Sequence, residues 1–268
     1  MSESCLTTKE DRYGGVELSV APGTDAAQFG HELSARIGEW QQAGKRGLWL
    51  TVPTAAASCV GHAVSAGFEF HHAKPGYVLL TRWLPDTPSP LPAYSFTQIG
   101  VGGVVVNAAG SVLMVVERVS PLAQMQGEWK LPGGLADPGE DFADTVAREV
   151  REETGVRASL EGVVSLRHSH GFRFGQGDVY VVVKLRADEE AITVDKNELL
   201  DARWMSRDEI AALVTDPAGG VPLAGKVSKN NGKMIDAAFS GTLIGGAPLP
   251  TSRPGGKPSM LYTAPPKL

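Results

Sequence analysis

Cysteine is scarce in this 268-residue chain: Cys5 and Cys59 are the only two. Two cannot build a disulfide framework, which points to a reducing compartment. Long apolar runs are lacking as well, and none approaches the roughly 18 residues that a membrane-spanning helix needs. Neither sign of charge dominates. The 25 Lys and Arg stand against 30 Asp and Glu, for a formal net charge of −5. That balance argues against the basic surface of a non-specific nucleic-acid binder. Met1 to Gly15 carries Glu3, Glu10 and Asp11 and no apolar segment, against both a secretory signal and an acid-poor transit peptide. A cytoplasmic protein is expected. The terminal Pro266-Lys-Leu268 approximates a Ser-Lys-Leu signal and makes the peroxisome the alternative. No internal repeat is visible.

What is present is ordinary globular material, with 42% apolar and 21% charged residues, enough for at least one full core. The 32 glycines and 18 prolines concentrate in Pro85 to Pro92 and after Pro217. Residues 1–10 are expected to be a flexible N-terminus. Residues 11–84 read as a small α/β domain. Ala26 to Gly44 is an amphipathic helix with Phe29, Leu33, Ile37 and Trp40 at helical spacing. Gly47 to Pro53 is a strand, Ala55 to Ala66 a second helix, and Tyr77 to Leu84 a strand. Trp40, Trp49 and Trp83 are expected in the core, and Cys59 buried and inert. The neighbours His71 and His72 should point to opposite faces of a strand and so not share a metal. Residues 85–93, with four prolines in eight, form an extended, semi-rigid linker.

Residues 94–215 read as a mixed sheet with helices on its faces. Ile99 to Val106 and Ser111 to Arg118 form a hairpin, and Trp129 to Gly134 a short strand entering a glycine loop. Asp141 to Thr154 is a helix stopped by Gly155. Ala158 to His168, Val179 to Arg186 and Leu200 to Met205 are strands. Ser206 and Glu209 make the capping box of a last short helix. Residues 216–268 are expected to be a largely flexible tail, with one helical turn at Met234 to Phe239 and a candidate docking segment at Met260-Leu-Tyr262.

The chemistry concentrates in the helix before Gly155. Glu149, Glu152 and Glu153 stand at i, i+3 and i+4, so three carboxylates share one face. They repel one another, and they lie toward the helix C-terminus, where the macrodipole disfavours anions. A divalent cation between them accounts for the arrangement, and an all-oxygen set selects Mg²⁺, Mn²⁺ or Ca²⁺. Ala143, Val146, Ala147 and Val150 supply the buried stripe beside them. Gly133 and Gly134 allow the tight turn that brings the preceding loop back over the helix. Glu140 sits near the helix start and can reach Arg148. Arg118 and Lys130 flank the helix in sequence as candidate phosphate contacts. Phe172, with Arg173 and Phe174, is a candidate for stacking on a base, and His168 and His170 lead into that loop.

Gly134, Glu140, Arg148, Glu149, Val150, Glu152, Glu153, Gly155 and Val156 resemble the Nudix box, Gly-x5-Glu-x7-Arg-Glu-U-x-Glu-Glu-x-Gly-U, at every fixed position. Arg12 to Val16, Trp49 to Pro53, Gly67 to His72, Trp83-Leu84 and Gln98 to Gly102 are similar to the pre-Nudix region of eukaryotic members akin to Nudix-type motif 6 and several plant enzymes. The resemblance implies an acetyltransferase-like α/β pre-Nudix domain followed by a Nudix α/β/α sandwich with a mixed sheet. It implies hydrolysis of a nucleoside diphosphate linked to a group X, with Mg²⁺ or Mn²⁺ held by Glu149, Glu152 and Glu153 and a metal-bound water as nucleophile. The base in such proteins is a box glutamate, here Glu149 or Glu153, or a downstream acid. Glu198 is the best downstream match and Asp178 a weaker one. Arg148 is implied to orient Glu149 and pair with the supporting Glu140. Gly133, Gly134, Arg118, Lys130 and Phe172 are the expected substrate-binding residues.

The substrate tells that follow the box in known subfamilies are missing from Ser169 to Asp178. By resemblance to the plant members, ADP-ribose and NADH are the expected substrates. Oxidised nucleoside triphosphates such as 8-oxo-dGTP are the alternative, as is a non-enzymatic nucleotide-sensing role. The pyrophosphate-binding loop of an acyltransferase is missing from residues 13–84, which ranks that activity low. Neither stable nucleic-acid binding nor a membrane partner is expected, and a homodimer is compatible with this reading.

Overall fold

The computed structural model describes residues 4–120, 122–171, 173–249 and 259–264. The chain forms two units, residues 1–95 and 96–268. Phe172 and Pro266-Lys-Leu268, both singled out in the sequence, lie outside the described residues.

In the first unit, β1 (Leu6–Glu10) and β2 (Val16–Val20) precede α1 (Ala26–Gln42) and β3 (Gly47–Pro53). A 3₁₀ turn and α2 (Val60–Ser65) lead to the hairpin of β4 (Glu69–Lys74) and β5 (Tyr77–Trp83). The strands form one sheet in the order β1-β2-β3-β5-β4, with β2 and β3 parallel and the other neighbours antiparallel. Asp25 accepts from the Gln28 N–H and caps α1. The helix buries Phe29, Leu33, Ile37 and Trp40 in one cluster with Val16, Leu18, Leu48 and Leu50. The side chains alternate along β2 and β3, so only one sheet face enters this core.

Four expectations for this unit change. Residues 6–10 are a paired strand, not part of a flexible terminus; Leu6 and Cys5 are buried, and the Cys5 N–H donates to Glu32 at 3.0 Å. A strand with one buried residue leaves no periodic signal. Trp49 and Trp83 are only half-buried. They lie on the face away from α1, where with Tyr13 and Arg46 they line a cavity of about 580 Å³. His71 and His72 meet, with Nδ1 atoms 2.7 Å apart. A register shift between Phe70 and His72 makes His71 the extra residue of a bulge, which cancels the alternation. The proline-rich segment is extended as expected, yet it is strapped to its own unit. Trp83 Nε1 donates to Thr87, His71 Nε2 lies 3.0 Å from the Pro92 carbonyl, and Tyr94 stacks on His72.

The second unit begins with β6 (Thr97–Val106) and β7 (Val112–Glu117). After the glycine loop come α3 (Phe142–Thr154), β8 (Ala158–Ser169), β9 (Gly177–Ala187), β10 (Leu199–Met205) and α4 (Arg207–Leu213). The sheet order is β10-β7-β6-β9-β8, and β6 runs parallel to β9 from Thr97↔Gly177 to Val106↔Arg186. The expected strand at Trp129 to Gly134 is a set of single bridges, Val115↔Lys130 and Trp129↔Val227 among them. Both sheet faces are covered. Val101, Val105, Leu113 and Val181 pack with Val146 and Val150 of α3. Val104, Met114 and Val182 pack on the opposite side with Ile210 of α4. The result is an α/β/α sandwich around a mixed sheet.

Much of the tail joins this unit. Val214–Thr215 (β11) pairs in parallel with Val227–Ser228 (β12), α5 spans Lys229–Ser240, and Gly245–Leu249 (β13) pairs with Ser259–Thr263 (β14). Ile235 and Ala238 of α5 are buried in the same core as Ile210. Glu128, itself buried, accepts from the Ser228 N–H and from Asn231 Nδ2 and so anchors the start of α5. Tyr262 stacks on Phe142 at 5.2 Å, so Met260-Leu-Tyr262 does dock. The polar composition of the segment conceals the few apolar residues that fix it.

Candidate active site

Helix α3 ends in a left-handed cap at Gly155 (φ +72°) whose N–H donates to the Arg151 carbonyl. Burial of Val146 and Val150 against the sheet sets the rotation of the helix. Glu149 and Glu153 are thereby turned toward the loop Pro132-Gly133-Gly134. That loop is pinned to β6, where the Val101 N–H donates to the Gly134 carbonyl and the Gly103 N–H to the Pro132 carbonyl. Gly133 has φ +146°, and a Cβ there would lie 2.2 Å from the Val101 carbonyl oxygen. A Cβ on Gly134 would lie 2.6 Å from the Glu149 carboxylate. Only a pair of glycines lets backbone pass this close to both acids.

The carboxylates differ in environment. Glu153 is 5% exposed, and its Oε2 accepts from the Gly133 N–H at 3.1 Å. Burial pushes its pKa up to about 8; repulsion from Glu149 and Glu117 adds to this, and Lys130 and the Gly133 N–H oppose it. Glu149 is also raised, mainly by burial and further by the charges of Glu152 and Glu198, against the pull of Arg148. Glu152 faces solvent. Arg148 grips Glu140 through two bonds of 2.8 and 2.9 Å, and it donates from Nη1 to Glu149 (2.9 Å) and Glu152 (3.1 Å). The fork holds Glu140 down to about 2. Arg148 therefore organises acids on both sides of itself.

Among the described residues no three His, Cys, Asp or Glu side chains are grouped so that they could hold a metal ion. The expected convergence of Glu149, Glu152 and Glu153 is replaced by Arg148 standing between the first two. Removing Arg148 should release Glu140, Glu149 and Glu152 together. Arg148→Ala is expected to lower kcat/KM about 10- to 100-fold, the range for losing an outer residue that orients the carboxylates of a site. Steady-state kinetics beside a thermal melt would separate this from unfolding.

On the other side of the glycine loop from the buried Glu153 and the half-buried Glu149 lies a cavity of about 310 Å³, lined by Gly134, Lys130, Glu117, Arg167, Asp178 and Tyr180 among others. Gly133, Gly134 and Lys130 line this cavity, and Lys130 is ion-paired with Glu117. Arg118 departs from expectation: its guanidinium donates to the Lys196 carbonyl and its N–H to the Glu198 carbonyl, so it fastens the loop before β10. That loop carries Glu198 close enough to raise the pKa of Glu149. Asp178 is buried, and both its oxygens are taken, by Gln98 Nε2 and Arg167 Nη2 at 3.0 Å each. This commitment weakens it as a base. Phe174 is 97% exposed, and His168 and His170 pack on each other. Sequence reasoning missed Glu117, Arg167 and Tyr180. The signal available for Glu117 was a lone acid closing the apolar run of β7.

Residues 6–84 match the model of a Nudix hydrolase domain and residues 96–224 that of the NUDIX domain. Nudix hydrolase 8 of Arabidopsis thaliana is 36% identical over 263 residues, 97% of this chain and 69% of that protein. Nucleoside diphosphate-linked moiety X motif 6 of Mus musculus is 39% identical over 208 residues, 75% of this chain and 66% of that protein. Among solved structures, a MutT NUDIX hydrolase from Burkholderia pseudomallei aligns with a TM-score of 0.41 and 20% identity, over 53% of this chain and 97% of that one.

Proposed function

We propose, since this chain belongs to the Nudix hydrolase family, that it cleaves the pyrophosphate bond of a nucleoside diphosphate linked to a second group, with ADP-ribose and NADH as the substrates and Mg²⁺ or Mn²⁺ as the metal. The observation that carries this reading is the pair Glu149 and Glu153. Glu153 is buried and Glu149 half-buried against the Gly133-Gly134 loop that lines the cavity, and both are pushed up by burial, Glu153 also by Glu149 and Glu149 by Glu152 and Glu198.

The donor chemistry fits a divalent cation. It is carboxylate oxygen throughout, which suits a small hard ion, and the charge of Glu149 adds to the repulsion at Glu153. Glu149, Glu152 and Glu153 would hold the ion, Glu152 after turning from the Arg148 Nη1 that it shares with Glu149 in this structure. When bound, it supplies positive charge against the pyrophosphate oxygens and makes a coordinated water acidic. The remaining work falls to side chains. Arg148 fixes the direction of the Glu149 carboxylate. Glu198, whose loop Arg118 holds and whose charge reaches Glu149, would take a proton from the attacking water. Gly133 and Gly134 leave backbone where a phosphate can approach it.

The test is a panel of ADP-ribose, NADH and 8-oxo-dGTP with Mg²⁺ or Mn²⁺ and products identified. ADP-ribose should give AMP and ribose 5-phosphate, and NADH should give AMP and reduced nicotinamide mononucleotide. Glu152→Gln should lose about 10³-fold in kcat, since a metal ligand carries several kcal/mol of the barrier. Faster release of pyrophosphate from 8-oxo-dGTP would replace the substrate assignment. Tight nucleotide binding without turnover would make the protein a sensor.

A further inference from the structure

Arg167 lines the cavity that the Gly133-Gly134 loop borders, and neither the metal chemistry nor the proton transfer uses it. Arg167, on β8, lies opposite Tyr180 of β9 in the sheet register. Its guanidinium carbon sits 5.1 Å from the centre of the Tyr180 ring, and its Nη2 donates to Asp178 at 3.0 Å. The layer beneath is equally specific. A Cβ on Gly102 would lie 2.0 Å from the Tyr180 hydroxyl, and one on Gly100 would lie 3.1 Å from the ring. The two glycines of β6 therefore leave the space in which the Tyr180 ring lies. Gln98 of the same strand closes the far oxygen of Asp178. Arg167 is thus supported on one face by a ring and held at one edge by a buried carboxylate. Its side chain remains 46% exposed, and the residue lines the cavity.

Charge decides what such a group offers. Asp178 offsets it, and Glu117 and Glu128 line the same space. A phosphate gains little there compared with the site at Glu149 and Glu153 once a dication is bound. A planar guanidinium with its orientation fixed still presents a flat, polarisable face on which an aromatic ring stacks. We propose that Arg167 is a substrate-binding residue whose free face stacks on the nucleobase of the nucleoside diphosphate. This rests on the hydrolase reading above and names how the site recognises the nucleoside end.

Two probes separate base from phosphate. The first is α,β-methylene-ADP-ribose, in which a CH₂ bridge prevents cleavage. The second is 5-phosphoribosyl pyrophosphate, which has the ribose and the pyrophosphate but no base. Both are titrated calorimetrically with Mg²⁺ into wild type, Arg167→Lys and Arg167→Ala. Lysine keeps the charge opposite Asp178 and loses only the plane. Both variants should bind the methylene compound about tenfold or more weakly, in the range measured for loss of one base stack. Both should bind the base-free probe within twofold of wild type. Wild-type affinity of Arg167→Lys for the methylene compound would overturn the stacking role, because charge alone would then suffice. Equal weakening of both probes would make Arg167 a phosphate anchor and overturn it too. Failure of wild type to bind either probe removes the hydrolase reading together with this one. Hydrolysis that is normal but indifferent to residue 167 removes this one alone.

Discussion

Glu153→Gln should make the metal-free second unit more stable at pH 8 while nearly abolishing hydrolysis. In the folded protein Glu153 titrates near 8, and in the unfolded chain near the ordinary glutamate value of 4.5. Between those two values the folded state holds a proton that the unfolded state has released. Stability therefore falls as pH rises through that window, and the full loss is present above pH 8. Gln carries no charge and keeps an oxygen for the Gly133 N–H, so it escapes the loss. The gain at pH 8 should be roughly 2–4 kcal/mol, which corresponds to about 5–10 °C in the thermal midpoint of a unit this size. At pH 4.5 and below, variant and wild type should melt alike. In the same variant kcat should fall about 10³-fold or more, because the residue that costs stability is one that would hold the dication. Thermal melts at pH 4.5 and 8 with chelator present, beside one activity assay, check both halves. A variant no more stable than wild type at pH 8 would show that Glu153 is not desolvated as described.

The second large effect is expected at Gly133. Any side chain there meets the Val101 carbonyl oxygen at 2.2 Å and the Gly102 Cα at 2.9 Å, both backbone of the central strand, at a φ of +146° that disfavours L residues. Neither neighbour can turn aside as a side chain would. Gly133→Ala should cost more than about 3 kcal/mol and yield protein without measurable turnover. Gly139→Ala is the matched control. Gly139 also has positive φ, +91°, but nothing lies within 4 Å of its Cβ position. It should lose about 1 kcal/mol, the backbone term alone, and keep most activity. Equal losses for the two variants would mean that the contact with β6 contributes nothing.

The reach of the sequence can be judged residue by residue. Helix α3, its glycine cap and the Glu140–Arg148 pair were legible, because i, i+3 and i+4 spacing, an apolar stripe and two glycines are local signals, whereas the expected meeting of Glu149, Glu152 and Glu153 was not found. The strands of the second unit were legible for the same reason. What lay beyond reach depended on contacts between distant segments. Arg118 read as a phosphate ligand because its partner, the Lys196 carbonyl, is backbone and carries no sequence signature. The role of Arg167 required knowing that β8 and β9 pair with Arg167 opposite Tyr180. Only the Met234 to Phe239 turn of α5 was legible, because Ser228, Asn231 and Ile235 are anchored by Glu128 and a core built earlier in the chain. The meeting of His71 and His72 needed a bulge, which strict alternation forbids.

The parallel pairing of β6 with β9 also sets an order of assembly. Gln98 and Asp178 touch across 80 residues of chain, and Glu128 and Asn231 across 103. Contacts so separated must close large loops before they return any stabilisation, and sheets dominated by them fold slowly. The β6–β7 hairpin and α3 need only local chain. The floor of the cavity does not exist until β9 inserts beside β6, and the wall at Ser228 to Asn231 arrives later still in synthesis. During that interval β6 is an open edge, a short-lived template for mispairing. The cavity thus takes shape only once contacts of long sequence separation have closed, and a ligand that fits it can favour only states in which they have.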